Sequence, residues 1–220
     1  HRPVAIANGD DQFIDLVSQE IENLDIFGTN SYRGSSFEDL FEVVHDKLGV
    51  PLLFTEFGAD AYHTTEMRED QISQARYLLD NWSEIYKNAR GHGASGNSIG
   101  GCTFQFSDGW WKSGPDDNLD IHDPHASWAN GGYLEDFVHG ENNMNEEWFG
   151  VCGKEASGTE YMYKLLPRKA YYVLQQVHQL NPLSPETTLE GIEAHFANIN
   201  STLIDTLSKE LENATEMIAP

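Results

Sequence analysis

Basic residues are scarce in this chain: 13 Lys and Arg stand against 36 Asp and Glu, a formal net charge of -23 over 220 residues. Nucleic acids and anionic membrane surfaces both require a basic footprint, so neither is an expected partner. An uncharged sugar is compatible with this charge but not selected by it, and a solvated acidic surface is the plainer meaning of the surplus. Cysteine is scarcer still. Cys102 and Cys152 give neither a disulfide framework nor a zinc-ligand spacing, and they leave open whether the two pair or stay as thiols. No run approaches the roughly 20 apolar residues that cross a bilayer. Residues 1–20 lack a basic start followed by an apolar stretch, so no signal peptide is visible. The chain opens at His1-Arg2-Pro3 without Met, as a processed or truncated product would, and secretion or a periplasmic location stays open. A glycine-rich phosphate loop is also missing after the first apolar run, which argues against a sheet binding a phosphorylated ligand.

What is present alternates between strand and helix signals. Val4-Ala5-Ile6-Ala7 is a short apolar run closed by Asn8-Gly9-Asp10, and residues 11–22 place Phe13, Ile14, Val17 and Ile21 at helical spacing. Leu24 to Asn30 is a second run. Ser35 and Glu38 form the pattern of a capping box before a helix presenting Phe37, Leu40, Phe41, Val44 and Leu48, which Gly49 ends. Val50 to Thr55 is a third run, followed by a helix over about residues 69–90 with Ile72, Ala75, Leu79, Trp82 and Tyr86 on its apolar face. Ile99 to Phe106 is the fourth. A stretch dense in Gly, Asn, Asp and Trp follows, and Pro167 suits the first turn of a helix carrying Ala170, Val173, Leu174 and Val177.

Four strand–helix units in succession imply parallel strands joined by crossovers. They fit either a small open sheet or half of an eight-stranded barrel. The long segments after the third and fourth strands favour the barrel, whose active sites lie on that C-terminal face. Beyond residue 180 the pattern changes: after Asn181-Pro182 and Ser184-Pro185, apolar residues recur at Leu189, Ile192, Phe196, Ile199 and Leu203, as in an amphipathic helix. Residues 1–180 are therefore expected to form one α/β unit, and residues 181–220 a linker and helix packed in cis or on a partner. Triplets matching the N-glycosylation acceptor occur at Asn81, Asn200 and Asn213.

The most informative segment is Pro51-Leu52-Leu53-Phe54-Thr55-Glu56-Phe57-Gly58-Ala59-Asp60, an apolar run that ends in a carboxylate followed by a glycine. At the C-terminal end of a barrel strand, such a carboxylate points into the substrate mouth. Spacing alone leaves a salt bridge equally open. This segment resembles the seventh strand of the catalytic barrel in family 2 glycoside hydrolases and their clan A relatives. His1-Arg2-Pro3-Val4 is similar to the opening of their fifth strand. Leu24-Asp25-Ile26-Phe27-Gly28-Thr29-Asn30-Ser31-Tyr32 resembles the sixth, and Gly100-Gly101-Cys102-Thr103-Phe104-Gln105-Phe106-Ser107-Asp108 the eighth.

The resemblance covers roughly residues 1–180 and implies an α/β fold: the last four strand–helix units of a (β/α)8 TIM barrel, plus a C-terminal helical tail. It implies a retaining β-glycosidase needing no cofactor or metal, with Glu56 as nucleophile and Tyr32 donating a hydrogen bond that orients it. Trp110 or Trp111 would form the aromatic platform under a sugar ring, and Asn8 would bond a sugar hydroxyl. Two features depart from the family pattern. Phe106 stands where the eighth strand often carries Trp. The acid/base Glu after Asn on the fourth strand has no counterpart, because Asn145-Glu146 falls in the late loop region. The chain is thus expected to be a fragment, inactive alone, that needs the missing half-barrel or self-association to cover its edges. A non-catalytic carbohydrate-binding or assembly protein with the same shell is the alternative. The acidic stretch Asp116 to His125 reads as a solvated loop rather than a calcium site, and Trp128 and Trp148 as parts of a cleft wall.

Overall fold

A computed structural model describes residues 2–63, 66–93, 95–109, 145–156 and 163–199. The strands are β1 (Ala5–Gly9), β2 (Ile26–Asn30), β3 (Leu52–Phe57), β4 (Tyr62–His63), β5 (Arg68–Glu69), β6 (Ser98–Thr103), β7 (Cys152–Ala156) and β8 (Tyr163–Pro167). The helices are α1 (Ile14–Glu20), α2 (Leu40–Leu48), α3 (Gln71–Lys87), α4 (Lys169–Val177) and α5 (Leu189–Asn198). The four apolar runs of the sequence become one parallel sheet in the order β1-β2-β3-β6, with a helix in each crossover. Among the described residues the sheet is open: no strand pairs with the outer edge of β1 or of β6.

Strand parity decides which side chains reach the helices. Phe27, Leu52 and Phe54 share one face through the register Phe27↔Leu52 and Thr29↔Phe54. With Phe57 they pack on Phe37, Leu40, Phe41 and Val44, and on Leu78, Trp82 and Ile85 of α3. Phe37 and Phe54 meet at 4.1 Å between ring centroids, Phe54 and Phe57 at 5.9 Å, and Phe57 and Trp82 at 5.3 Å. Each buried aromatic of this kind contributes roughly 1.5–3 kcal/mol by leaving water. The middle strands β2 and β3 are covered; β1 alternates between exposed and half-buried along its whole length.

Helix boundaries follow capping chemistry with local departures. Gly49 ends α2 in the left-handed region at φ 64°, as the sequence implies, but the Ser35/Glu38 box does not form. Glu38 adopts φ 53° and its N–H bonds Ser36 Oγ, so Asp39 precedes the first helical residue. Asp70 caps α3 by accepting from the Ser73 N–H at 3.1 Å. Ile72, placed on that helix's apolar face by its spacing, is exposed, and Gln74 and Asn81 are buried instead. Asn81 donates to the Gly34 carbonyl at 2.9 Å, so its sequon holds a structural amide. Pro167 closes β8 rather than starting α4, which begins two residues later.

The tail packs in cis as far as it is described. Thr188 caps α5, and Phe196 meets Tyr86 of α3 at 5.4 Å, edge to face. The helix ends at Asn198, with Ile199 extended, and Leu203 lies outside the described residues. Beside this contact, Tyr86 Oη and His178 Nδ1 are 3.2 Å apart. Burial pushes the Tyr86 hydroxyl up to about 12 and lowers the His178 imidazole.

After β6 the chain runs beside β7, with Cys152 N–H donating to Phe106 O at 3.0 Å and Asp108 N–H to Cys152 O at 3.1 Å. The stretch between residues 109 and 147 leaves and returns at one place, because Gly109 N–H donates to Glu147 O at 3.2 Å. Buried Arg168 locks this place. It grips Asp108 with two guanidinium nitrogens at 2.5 and 2.7 Å, and also bonds Glu69 at 2.6 Å and the Gly150 carbonyl at 2.7 Å. Cys102 is an exposed thiol and Cys152 a buried one; they do not pair.

Candidate active site

Everything at the C-terminal end of β2 and β3 follows from one irregularity. Thr29 pairs with Phe54, but Asn30 pairs with Glu56, so β3 gains a residue and Thr55 is left unmatched. The extra residue turns Glu56 toward the face opposite the helix-packed one, the face that Gly28 and Asn30 occupy on β2. The ladder continues one step, with Ser31 N–H donating to Glu56 O at 2.9 Å. Tyr32 then projects from the same face as Asn30, and its Oη donates to Glu56 Oε2 at 3.1 Å. Both residues are half-buried. Thr55 Oγ1 donates to Asn30 Oδ1 at 2.6 Å beside them.

Neighbouring loops hold this arrangement. Phe149, 1% exposed, packs on the Tyr32 ring with centroids 5.7 Å apart. Gly58 lets β3 cross the extension of β6: a Cβ there would overlap the Phe104 carbonyl, while Phe104 N–H donates to Phe57 O at 2.7 Å. Buried Asp60 accepts from Asn145 N–H at 2.9 Å and from its side-chain amide at 3.2 Å, which ties the returning segment to the β3–β4 loop. Gln74 reinforces that tie through the carbonyls of Ala59 and Gly150, both at 3.1 Å. On the other side of Tyr32, Arg33 bridges Asp10 at 2.9 Å, Asp39 at 3.0 Å and Asp11 at 3.4 Å. Partial burial opposes the Arg33 charge, but the bonds to Asp10 and Asp39 and the field of Asp10 and Asp11 lift its pKa above the ordinary value.

The structure therefore brings Tyr32 to Glu56 and leaves Asn8 elsewhere. Asn8 pairs with Thr29, which puts it on the helix-packed face, and its amide donates to the Gln12 carbonyl. Trp110, Trp111, Trp128 and the acidic stretch 116–125 lie outside the described residues. Trp148 is held between packing partners, 4.7 Å from the Tyr62 ring and 5.6 Å from the Arg168 guanidinium. Asn145, of the Asn-Glu pair, is committed to Asp60. Asn30, Thr55 and Phe149 escaped the sequence reading. Asn30 was visible as the last residue of the second run, whereas Phe149 carries no local signal. Among the described residues no group of three or more His, Cys, Asp or Glu side chains could hold a metal ion, and no helix is long and apolar enough to cross a membrane.

No protein-family model matches the chain, and no curated protein matches it. Several solved structures are similar to it, these two among them. One is an active-site mutant of a β-1,3-glucanosyltransferase from Rhizomucor miehei in complex with laminaritriose, at 16% identity and TM-score 0.39, over 69% of this chain and 46% of that one. The other is a β-porphyranase of glycoside hydrolase family 86 from the human gut bacterium Bacteroides plebeius, at 10% identity and TM-score 0.38, over 77% of this chain and 30% of that one. The chain spans less than half the length of either.

Proposed function

We propose that this chain supplies the nucleophile side of a retaining β-glycosidase active site. The observation that carries the reading is the hydrogen bond from Tyr32 Oη to Glu56 Oε2 at the C-terminal end of parallel strands, where barrel enzymes place their chemistry. With Oε2 held by Tyr32, Glu56 Oε1 attacks the anomeric carbon. The glycosidic bond breaks as a second carboxyl, about 5–5.5 Å away, protonates the leaving oxygen. That carboxyl, now a base, takes a proton from water or from a sugar hydroxyl, whose oxygen displaces Glu56 and restores the site. The same intermediate serves hydrolysis and transglycosylation.

The sheet supports a half-barrel. β1, β2, β3 and β6 would be strands five to eight, and four further strand–helix units would close the ring. Val4, Phe13 and Leu16 are exposed on the β1–α1 unit, and Phe106, Leu165 and Leu166 after β6, which is apolar surface such a closure would cover. The acid/base belongs to the completing half in this reading.

The test is covalent trapping in the full-length protein with a panel of 2,4-dinitrophenyl 2-deoxy-2-fluoro-β-glycosides, followed by mass analysis of its peptides. The adduct is expected on Glu56, and Glu56→Gln is expected to abolish turnover. An adduct on another carboxylate, or turnover that survives Glu56→Gln, overturns the assignment.

A further inference from the structure

The end of β2 carries a second polar group fixed as firmly as Tyr32. Asn30 and Tyr32 are two residues apart on extended chain, so they project from one face, and both border Glu56: Asn30 as its register partner, Tyr32 as its hydrogen-bond donor. A primary amide offers one acceptor oxygen and two N–H donors. At Asn30 the oxygen is taken by Thr55 Oγ1 at 2.6 Å, and the amide nitrogen bonds no described residue. The contrast with the other asparagines of the fold is informative. Asn81 and Asn97 spend their amide nitrogens on the carbonyls of Gly34 and Phe41, and Asn145 spends its own on Asp60. Those are buried asparagines holding loops together. Asn30 is only half-buried and holds nothing with its donors.

We infer, resting on the glycosidase reading of Glu56, that Asn30 is a substrate-binding residue. Its amide donates to a ring hydroxyl of the sugar held at Glu56, and Thr55 is the positioning residue that aims it. The chemistry fits an uncharged ligand: a neutral donor beside the Glu56 carboxylate matches a hydroxyl oxygen, and that carboxylate disfavours an anionic one. The β-bulge gives the arrangement its sense. Without the extra residue in β3, Thr55 would pair with Asn30 and Glu56 would turn to the opposite face, away from Asn30 and Tyr32.

The experiment is an NMR titration of the full-length protein carrying 15N-labelled Asn and labelled Tyr. The Asn30 side-chain amide is assigned by its disappearance in Asn30→Asp. The probes are glucose, galactose, mannose and glucuronate. At least one neutral sugar is expected to shift the Asn30 amide protons saturably, together with Tyr32. Thr55→Val is expected to weaken that sugar about tenfold, the loss of one oriented hydrogen bond, and Thr55→Ser to restore it to within about twofold. A sugar that moves Tyr32 but leaves the Asn30 amide in place overturns the Asn30 assignment and leaves Glu56 as nucleophile untouched. If no sugar moves either residue the inference also falls, and covalent trapping at Glu56 then decides separately whether the glycosidase reading stands.

Discussion

Phe149 lies against Tyr32, ring centroids 5.7 Å apart, and so places a residue from beyond the long 110–144 stretch one contact from the Glu56 carboxylate. Tyr32 has the freedom of two side-chain torsions, and this packing, with the bond to Glu56, removes it. Phe149→Leu removes a buried ring and its contacts with Tyr32 and Phe104, and is expected to cost about 0.5–3 kcal/mol of stability. It frees the Tyr32 ring, so on the proposed glycosidase reading kcat should fall while KM stays within about twofold. A KM rise with unchanged kcat would show that Phe149 serves binding alone.

Tyr32→Phe removes the hydroxyl and keeps the ring on Phe149. A hydrogen bond to a charged group contributes roughly 1.5–3 kcal/mol, so the rate of covalent trapping at Glu56 should drop about 10–100-fold if that bond holds the nucleophile in its attacking pose. Thermal denaturation should hardly change. Wild-type trapping kinetics in the variant would separate Tyr32 from the chemistry.

Arg168→Met leaves Asp108 buried and without its cation. Breaking one side of such a pair costs about 3–5 kcal/mol, which urea denaturation would read directly. Replacing both members, Asp108→Leu with Arg168→Met, should recover much of the loss. Glu69 is 39% exposed, and Glu69→Gln should cost under about 1 kcal/mol.

His178 gives the fold a pH dependence of known sign. Burial depresses its pKa below the ordinary 6.5, so the unfolded chain takes up the proton first. The groups around it are the Tyr86 hydroxyl and the Trp82 indole, neither charged near neutrality. Its contribution is complete above pH 6.5 and is lost as the pH falls toward the folded-state value. The urea midpoint should therefore drop less between pH 7.5 and 5.5 in His178→Gln than in the wild type. Equal drops would place the acid sensitivity elsewhere.

The sequence shows what is local. The four apolar runs became the four parallel strands, Gly49 stopped its helix, and Glu56 sits at the end of the third run, beside the Tyr32 hydroxyl. Three kinds of feature escaped it. Parity at β1 puts Asn8 on the helix-packed face, and only pairing with Thr29 reveals that. The bulge that turns Glu56 and Asn30 together is a register event between two strands, with no mark in either. Arg168 reads as an ordinary charge next to Pro167 until folding sets Asp108 and Glu69 against it. The short β4–β5 and β7–β8 hairpins were hidden for another reason: one strand of each, β5 and β8, is exposed along its length and lacks an apolar alternation.

The neck closed by Gly109 and Glu147 separates two inheritances. Both ends of the 110–144 stretch are stapled to the scaffold, through Asp108 to Arg168 and through Asn145 to Asp60. The entropy of closing a loop grows only with the logarithm of its length, so doubling it costs about 0.6 kcal/mol. A change in the length of that stretch, like the exchange of a cartridge, would thus cost the scaffold little and leave Glu56 where it is.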